Sequence, residues 1–316
     1  MKAIVQHRYG TADVLHVAEI DRPEPREGEV LIRVRAAGVD RGVVHLVTGL
    51  PYLLRLGFGL RGPRTPVRGM DVAGVVEAVG PGVTRFRPGE EVFGICKGSF
   101  AEYATARQDR LAAKPANLSF EEAAAVPVSG TTALQGVGTL QQDQRVLVIG
   151  AGGGVGTFAV QVARAAGARV TGVCGPGKAD LVRSLGAEQV VDYTRQEVEG
   201  RYDVVLDIAG NRPLSRLRRL LVPGGRLEIM GGEGGGRLTG GMHRQLGAML
   251  LSPFVRERLH MLVSPVREDD LRRLAGLLES GQMKPVVGRT YPLDEAPDAV
   301  RYVAGNHALG KVVLTL

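Results

Sequence analysis

The first place where this sequence could do chemistry is a run of small residues between an apolar stretch and an amphipathic one. Val146-Leu147-Val148-Ile149 is followed by Gly150-Ala151-Gly152-Gly153-Gly154-Val155-Gly156. The apolar run reads as a buried parallel strand. Beyond the glycines, Phe158, Val160, Val162, Ala163 and Ala166 recur at helical spacing, and Gly167 supplies a stop. Strand, glycine-rich turn and helix in that order suit a dinucleotide. The small residues allow a tight turn, close backbone approach to a pyrophosphate and close packing of helix on strand. The helix N-terminus then offers unsatisfied N–H groups and a favourable dipole to the phosphates. Ending the fingerprint at Gly156 places its small positions at Ala151, Gly153 and Gly156, with Gly154 and Val155 completing the turn. Alanine in the first place leaves an ordinary glycine-rich turn as the alternative.

The next chemistry-bearing stretch distinguishes one nucleotide from another. A site for NAD carries an acidic residue about 20 positions after the glycines, bonded to the ribose hydroxyls. No Asp or Glu occurs between Thr157 and Ala179, and the second strand ends Val173-Cys174-Gly175-Pro176-Gly177-Lys178. A carboxylate there would repel a 2′-phosphate, whereas a lysine gives it a point charge. Lys178 is therefore the expected phosphate contact, with Cys174 and Gly175 beside it and Gly175 leaving room. The expected cofactor is NADPH. Cys174 has no His or Asn/Asp partner in the pattern that would make it a nucleophile.

These groups need a scaffold. With 316 residues, 44% hydrophobic and 23% charged, the chain suits a soluble protein of two domains, each with its own core. No apolar run reaches the roughly 18–20 residues of a membrane span. The N-terminus begins like a strand and not like a signal peptide, so a cytoplasmic address is expected. Two cysteines, Cys96 and Cys174, with no C-x-x-C, give neither a disulfide framework nor a structural zinc lobe. The net charge of +7 suits an anionic ligand or an Arg-rich surface. Aromatic residues make up 4% with no Trp, so the stacking platform of a single-strand nucleic-acid binder is missing.

Residues 1–122 read as short strands separated by turn sequences such as Pro23–Glu29, Gly80–Val83 and Arg87–Glu90, all-β in character and closing as a small barrel. Ser119 with Glu122 is a capping box that opens a helical stretch. From Arg145 onward strands and helices alternate, which argues for an open parallel sheet with right-handed crossovers. A strand near 259–263 is its sixth. A helix at 269–279, a strand near 285–291, a helix near 294–304 and a strand at 311–316 then return to the first domain. The fold class is α/β: a GroES-like β-barrel catalytic domain from 1–122 and 266–316, and a Rossmann doubly wound parallel six-stranded sheet from 123–265. The stretch Leu46–Leu60 is apolar for a loop. It reads either as a core helix or, the favoured reading, as a lid over an apolar pocket.

Motifs running the length of the chain, RGMDVAGVVEAVGPGV (68–83), GEEVFGI (89–95), SFAEYA (99–104), SGTTALQGV (129–137), SLGAEQVVDYT (184–194), YDVVLDIAGN (202–211), PGGRLEIMG (223–231) and the final GKVVLTL, resemble the medium-chain dehydrogenase/reductase superfamily. Within it the chain is most similar to the zinc-free quinone oxidoreductase-like group, including reticulon-4-interacting-protein-like reductases. Zinc alcohol dehydrogenases of the superfamily carry a Cys in a first-domain loop and a His-Glu pair after a Gly. Here those positions read Asp40 and Met70-Asp71, so no metal is expected.

The resemblance implies further site residues. Tyr193, in the VDYT motif, resembles a tyrosine beside the 2′-phosphate. Met230 and Gly231 lie at positions that touch the nicotinamide end, and His307 stands where the family often has a Gly-His-Ala-Arg-Gly-Lys sequence, although here Leu309 replaces the arginine. Hydride transfer needs the nicotinamide held against an electrophilic carbon and a donor where oxyanion charge develops. Tyr52 is the donor candidate, and Thr131 is placed under the nicotinamide face. Asp40 replaces a common Asn; it could hold the carboxamide, contact substrate or pair with Arg41. The expectation is an NADPH-dependent, zinc-free oxidoreductase passing hydride to a quinone or an α,β-unsaturated carbonyl. The partner is thus a small molecule, with no membrane or nucleic-acid partner and a homodimer allowed. The alternatives are a metal-independent NADP(H) alcohol dehydrogenase or carbonyl reductase, and a non-catalytic NADPH-binding protein of crystallin-like or RNA-binding type.

Overall fold

The chain opens with an antiparallel pair, β1 (Lys2–Val5) and β2 (His16–Glu19), and continues into the long strand β3 (Glu29–Val39). Helices α1 (Arg41–Thr48) and α2 (Arg55–Phe58) precede β4 (Asp71–Val79), β5 (Glu91–Ile95), β6 (Tyr103–Arg107) and β7 (Leu111–Ala113). Next come α3 (Phe120–Ala124) and α4 (Pro127–Val137). Then β8 (Arg145–Ile149), α5 (Gly154–Ala165), β9 (Arg169–Cys174), α6 (Ala179–Ser184), β10 (Gln189–Asp192), β11 (Tyr202–Asp207), α7 (Leu214–Arg219), β12 (Leu221–Ile229), α8 (Met242–Leu251) and β13 (Arg258–Met261) alternate. The chain closes with α9 (Glu268–Glu279), β14 (Val287–Pro292), α10 (Ala296–Ala304) and β15 (Lys311–Thr315). This computed structural model describes residues 1–232, 235–306 and 308–316. They fall into two compact units, Met1–Thr131 with Val266–Leu316, and Thr132–Pro265. The boundary lies within α4.

In the first unit β3 is the central strand. It pairs antiparallel with β4, β6 and β15, in a sheet ordered β14-β15-β3-β4-β5-β7. Ile32, Val34, Val72, Val92, Phe100, Val312 and Leu314 form part of its buried core, so the C-terminal strand completes a sheet begun by the N-terminal third. The all-β expectation for residues 1–122 is corrected by α1. Asp40 caps that helix by accepting from Val43 N–H, Val43, Val44 and Val47 bury one face, and Gly49 ends it at φ 61°. The valines suggest a strand, but a cap and a left-handed stop fix the helix.

In the second unit six parallel strands are ordered β10-β9-β8-β11-β12-β13. Chain order reverses between β8 and β11, which opens a crevice at the carboxyl ends of those strands. Leu147, Val205, Leu206 and Leu227 are fully buried, as strands covered on both faces require. Helix α8 has no counterpart among the expected elements. Its buried residues are Arg244, Gln245 and Ala248, whereas Leu246, Met249 and Leu250 are exposed. Its hydrophobic pattern therefore points away from the core. Among the described residues no helix is long and apolar enough to cross a membrane.

Candidate functional site

The glycine-rich turn closes tightly on the sheet. Gly150 and Ala151 both donate to Val173 O at 3.0 Å, Gly153 donates to Gly150 O at 3.1 Å, and Gly153 is the N-cap of α5. A Cβ on Gly156 would lie 2.1 Å from Gly150 O and 2.7 Å from Ala151 Cα. The helix can start this close to the strand only because that atom is missing. The amides of Gly154, Val155 and Gly156 open α5, where no carbonyl four residues earlier in the helix can accept them. This turn fits a pyrophosphate.

Beside it stands the group expected to select the nucleotide. A Cβ on Gly152 would meet Lys178 Cδ at 2.7 Å, so the lysine stem passes over the glycine turn. Partial burial holds its ammonium below the ordinary lysine range. Gly175 leaves room for the ring of Tyr193, whose Oη would be 3.5 Å from a Cβ there. Tyr193 is itself 60% exposed and donates its N–H to Cys174 O. Cys174 is buried, and burial pushes its thiol up, the opposite of an activated nucleophile.

Across the crevice, Met230 and Gly231 both donate to Asp207 O at 3.1 Å, and Ile208 and Ala209 donate to Ile149 O. The loops after β8, β11 and β12 are thereby joined. The Met230 side chain packs on Gly136 of α4, where a Cβ would lie 2.7 Å from its methyl. His307 lies outside the described residues.

One group behind these loops was not among the expected site residues. Asp207 is fully buried and accepts from Arg244 of α8 and from Gly210 N–H, while Arg244 also donates to Gly210 O. Burial pushes the Asp207 carboxyl up, and Arg244 opposes the shift. A charge that ends the apolar run Asp203–Asp207 was the sequence signal, since buried charges come paired.

The first unit places the other candidates. Asp40 Oδ1 accepts from Val43 N–H at 3.0 Å, and Arg41 donates to the Val303 and Ala304 carbonyls. Behind Asp40 lies a buried ion pair: Lys311 Nζ is 3.0 Å from Asp71 Oδ2 and 4.0 Å from Asp40 Oδ2. Thr131 is fully buried in α4, and its hydroxyl has no hydrogen-bond partner among the described residues.

Tyr52 opens a short 3-10 turn and is 41% exposed. The Arg55 guanidinium lies 4.6 Å from its ring centroid and 4.5 Å from that of Tyr9. The core-helix reading of Leu46–Leu60 is overturned. Only its first three residues belong to α1, and Leu53, Leu56, Phe58 and Leu60 are exposed.

Comparison with known proteins agrees with this architecture. The alcohol dehydrogenase GroES-like domain model matches residues 26–116, and the zinc-binding dehydrogenase model matches 185–314. The chain is 32% identical over 337 residues to the quinone oxidoreductase of Sus scrofa, which takes in 100% of this chain and 98% of that protein. The chain belongs to the medium-chain dehydrogenase/reductase superfamily. It is also 32% identical over 334 residues to an NADPH-dependent alkenal/one oxidoreductase of Arabidopsis thaliana, covering 99% of this chain and 79% of that one. The solved quinone oxidoreductase from Coxiella burnetii superposes with a TM-score of 0.89 at 25% identity, covering 100% of this chain and 99% of that chain. This member of the superfamily is an oxidoreductase with a GroES-like and a Rossmann domain.

One of the matching models carries zinc in its description, so the residues of this chain must be tested against that ion. Zinc is held by thiolate, imidazole and carboxylate groups. The carboxylates of Asp40 and Asp71 already flank the Lys311 ammonium. Cys96, next to Asp71, is buried, and both burial and the Asp71 charge hold it in the thiol form. Met70 offers only a thioether. These residues do not fit a zinc ion.

Proposed function

We propose that the protein is an NADPH-dependent, zinc-independent reductase of quinones or α,β-unsaturated carbonyls. The observation that carries this reading is the end of β9. There Lys178 rests over the glycine turn, Tyr193 packs against Gly175, and no carboxylate occurs between Thr157 and Ala179. Such a corner suits a 2′-phosphate and not two free ribose hydroxyls.

When bound, NADPH supplies the hydride. The turn Ala151, Gly153, Gly154, Val155 and Gly156 receives the pyrophosphate on its amides. Lys178 and Tyr193, with Cys174 and Gly175, hold the phosphorylated ribose. Met230 and Gly231, fixed to Asp207 O, meet the nicotinamide end, as does His307. Thr131 supports the ring, Tyr52 donates a hydrogen bond to the substrate oxygen, and Asp40 orients the carboxamide or the substrate.

Anaerobic NADPH oxidation with a panel of quinones and enones tests the reading. Turnover of either class supports it. No turnover on any of them, or NADP⁺ reduction by simple alcohols in their place, overturns it.

We also infer a homodimer. β13 is an edge strand of the second unit's sheet, and Leu250 and Phe254 beside it are 74% and 84% exposed. An open edge flanked by apolar residues is self-complementary about a two-fold axis. Light scattering of the wild type and of Leu250→Glu tests it, the variant being expected to dissociate. For the compartment the reading is the cytoplasm, supported by two buried free thiols, Cys96 and Cys174, which suit a reducing environment; cell fractionation tests it.

A further inference from the structure

Lys311, Asp71 and Asp40 bring three charged groups together inside the first unit. Lys311 is 2% exposed and Asp71 1%. The ammonium lies 3.0 Å from Asp71 Oδ2 and 4.0 Å from Asp40 Oδ2. The outer oxygen of each carboxylate is held by a helix: Asp71 Oδ1 accepts Val128 N–H at 2.9 Å, and Asp40 Oδ1 accepts Val43 N–H at 3.0 Å. The packing is tight, since a Cβ on Gly38 would lie 2.7 Å from Asp71 Oδ2 and 2.6 Å from Ala124 O. Two carboxylates thus share one cation, and the fully ionised trio carries one uncompensated negative charge, with Asp71 and Lys311 out of water and Asp40 at its partly exposed edge. Such a set takes up a proton more readily than a solvated carboxylate does.

We propose that Asp71 and Lys311 are positioning residues for Asp40: the trio binds one proton as a unit, and doing so changes how much of the Lys311 charge reaches the Asp40 carboxylate. The inference rests on the reading of Asp40 as a site residue. When Asp71 is ionised, the ammonium is drawn to the nearer carboxylate and Asp40 keeps only its helix cap. When Asp71 is protonated, the whole ammonium charge serves Asp40.

The groups facing the trio leave few other ways to balance it. β5 leads into the Cys96 thiol, which burial and Asp71 keep protonated. β3, α3 and α4 contribute Gly38, the Ala124 carbonyl and the Val128 amide. α1 contributes its N-terminal amides, and Arg41 beside Asp40 donates to the Val303 and Ala304 carbonyls. The Asp71 carboxyl is pushed up to about 6, by burial first and by the Asp40 charge against the pull of Lys311. The change of partner therefore falls in the working pH range. Reduction of a conjugated carbonyl builds negative charge on its oxygen, which an uncompensated Asp40 carboxylate opposes. The reaction is accordingly faster with the proton held.

The test has two arms. In the first, kcat for NADPH-dependent reduction is followed from about pH 5 to 9. The wild type should lose roughly tenfold through one ionisation as pH rises. Asp71→Asn and Asp40→Asn should each remove that step, and Lys311→Arg should retain it. In the second, the protein without cofactor is labelled with ¹³C at the aspartate carboxyls and titrated by NMR. One buried carboxyl should titrate near 6, the Asp40 resonance should follow it, and Asp40→Asn should move that titration to lower pH. A step in kcat that survives Asp71→Asn, or an Asp40 resonance indifferent to Asp71→Asn, overturns the proposal. If Asp71→Asn fails to fold, the shift in Asp40→Asn decides the same question. If no quinone or enone is reduced, the functional reading fails while the NMR arm still decides the trio.

Discussion

Removing the charge from Lys178 while keeping its stem isolates the step that selects the nucleotide. In Lys178→Met the methylenes that cover Gly152 are largely preserved, so the contact within 2.7 Å of a Cβ there loses only its distal end. The deleted ammonium would contact a dianionic phosphate, and a hydrogen bond to a charged group contributes about 1.5–3 kcal/mol. Lys178 is only half-buried, and burial already depresses its ammonium, so solvent screening places the effect toward the lower end. That corresponds to a KM for NADPH raised by roughly 10- to 30-fold. NADH has no phosphate at that position, and its KM should change by less than about threefold. Initial rates with both cofactors, at fixed acceptor, give the ratio directly. Lys178→Ala serves as a second variant that also removes the stem. An equal loss for both cofactors in Lys178→Met would remove the lysine from the phosphate site and with it the argument for NADPH.

Three further outcomes follow from the geometry. A folded-state carboxyl pushed up to about 6 from an ordinary 3.8 makes Asp71 hold its proton more tightly folded than unfolded; roughly 3 kcal/mol of stability, fully present below the unfolded value, is therefore lost as pH rises through about 6. About half of that loss falls between pH 5 and 8, so urea melts at those two values should differ by roughly 1.5 kcal/mol in the wild type and not in Asp71→Asn. Breaking the buried Asp207–Arg244 pair from one side, as Asp207→Asn or Arg244→Met, should cost about 3–5 kcal/mol, and the double variant should recover much of it; additive losses in the melts would refute the coupling. Gly156→Ala places a methyl 2.1 Å from Gly150 O, an overpacking that costs about 1–3 kcal/mol and should weaken NADPH in calorimetry by lifting α5 off the turn.

What was legible in the sequence was whatever the chain buries on both sides. β8, β9 and β11 read as largely apolar runs because the strands at the centre of a parallel sheet meet helices on each face. α5 was legible from Phe158 to Ala163, all buried, with a glycine at each end. α8 was not legible, because the face it turns inward carries Arg244 and Gln245 while Leu246, Met249 and Leu250 face out. α1 was hidden by valines that suit a strand equally well. It took the bond from Asp40 to Val43 N–H to identify Asp40 as a cap. Arg41, read as a possible partner for Asp40, gives hydrogen bonds to backbone carbonyls instead. Side-chain direction of that kind is set by long-range packing and leaves no trace in local spacing.

The same limit applies to the charges that matter most. Asp71 and Lys311 stand 240 residues apart in sequence, each in a run that is otherwise apolar, Met70-Asp71-Val72 and Gly310-Lys311-Val312. A single ionisable residue in such a run signals a buried charge without saying what balances it. Here the balance comes from β15, the last strand, laid beside β3. The ammonium it brings sits between carboxylates that stand at two of the positions where zinc enzymes of the superfamily carry ligands or their neighbours. A lysine in that place differs from a metal ion in one respect that bears on function. Its charge is fixed by the fold and cannot polarise a substrate oxygen through an open coordination position. The polarising group must therefore come from a donor such as Tyr52, and the proton held on Asp71 acts by letting Lys311 offset the opposing charge of Asp40. Replacing Asp40 by Asn makes that measurable: if the Asp40 charge is what opposes the developing oxyanion, kcat at high pH rises to its low-pH level and the step disappears, whereas a step that persists in Asp40→Asn places its origin elsewhere.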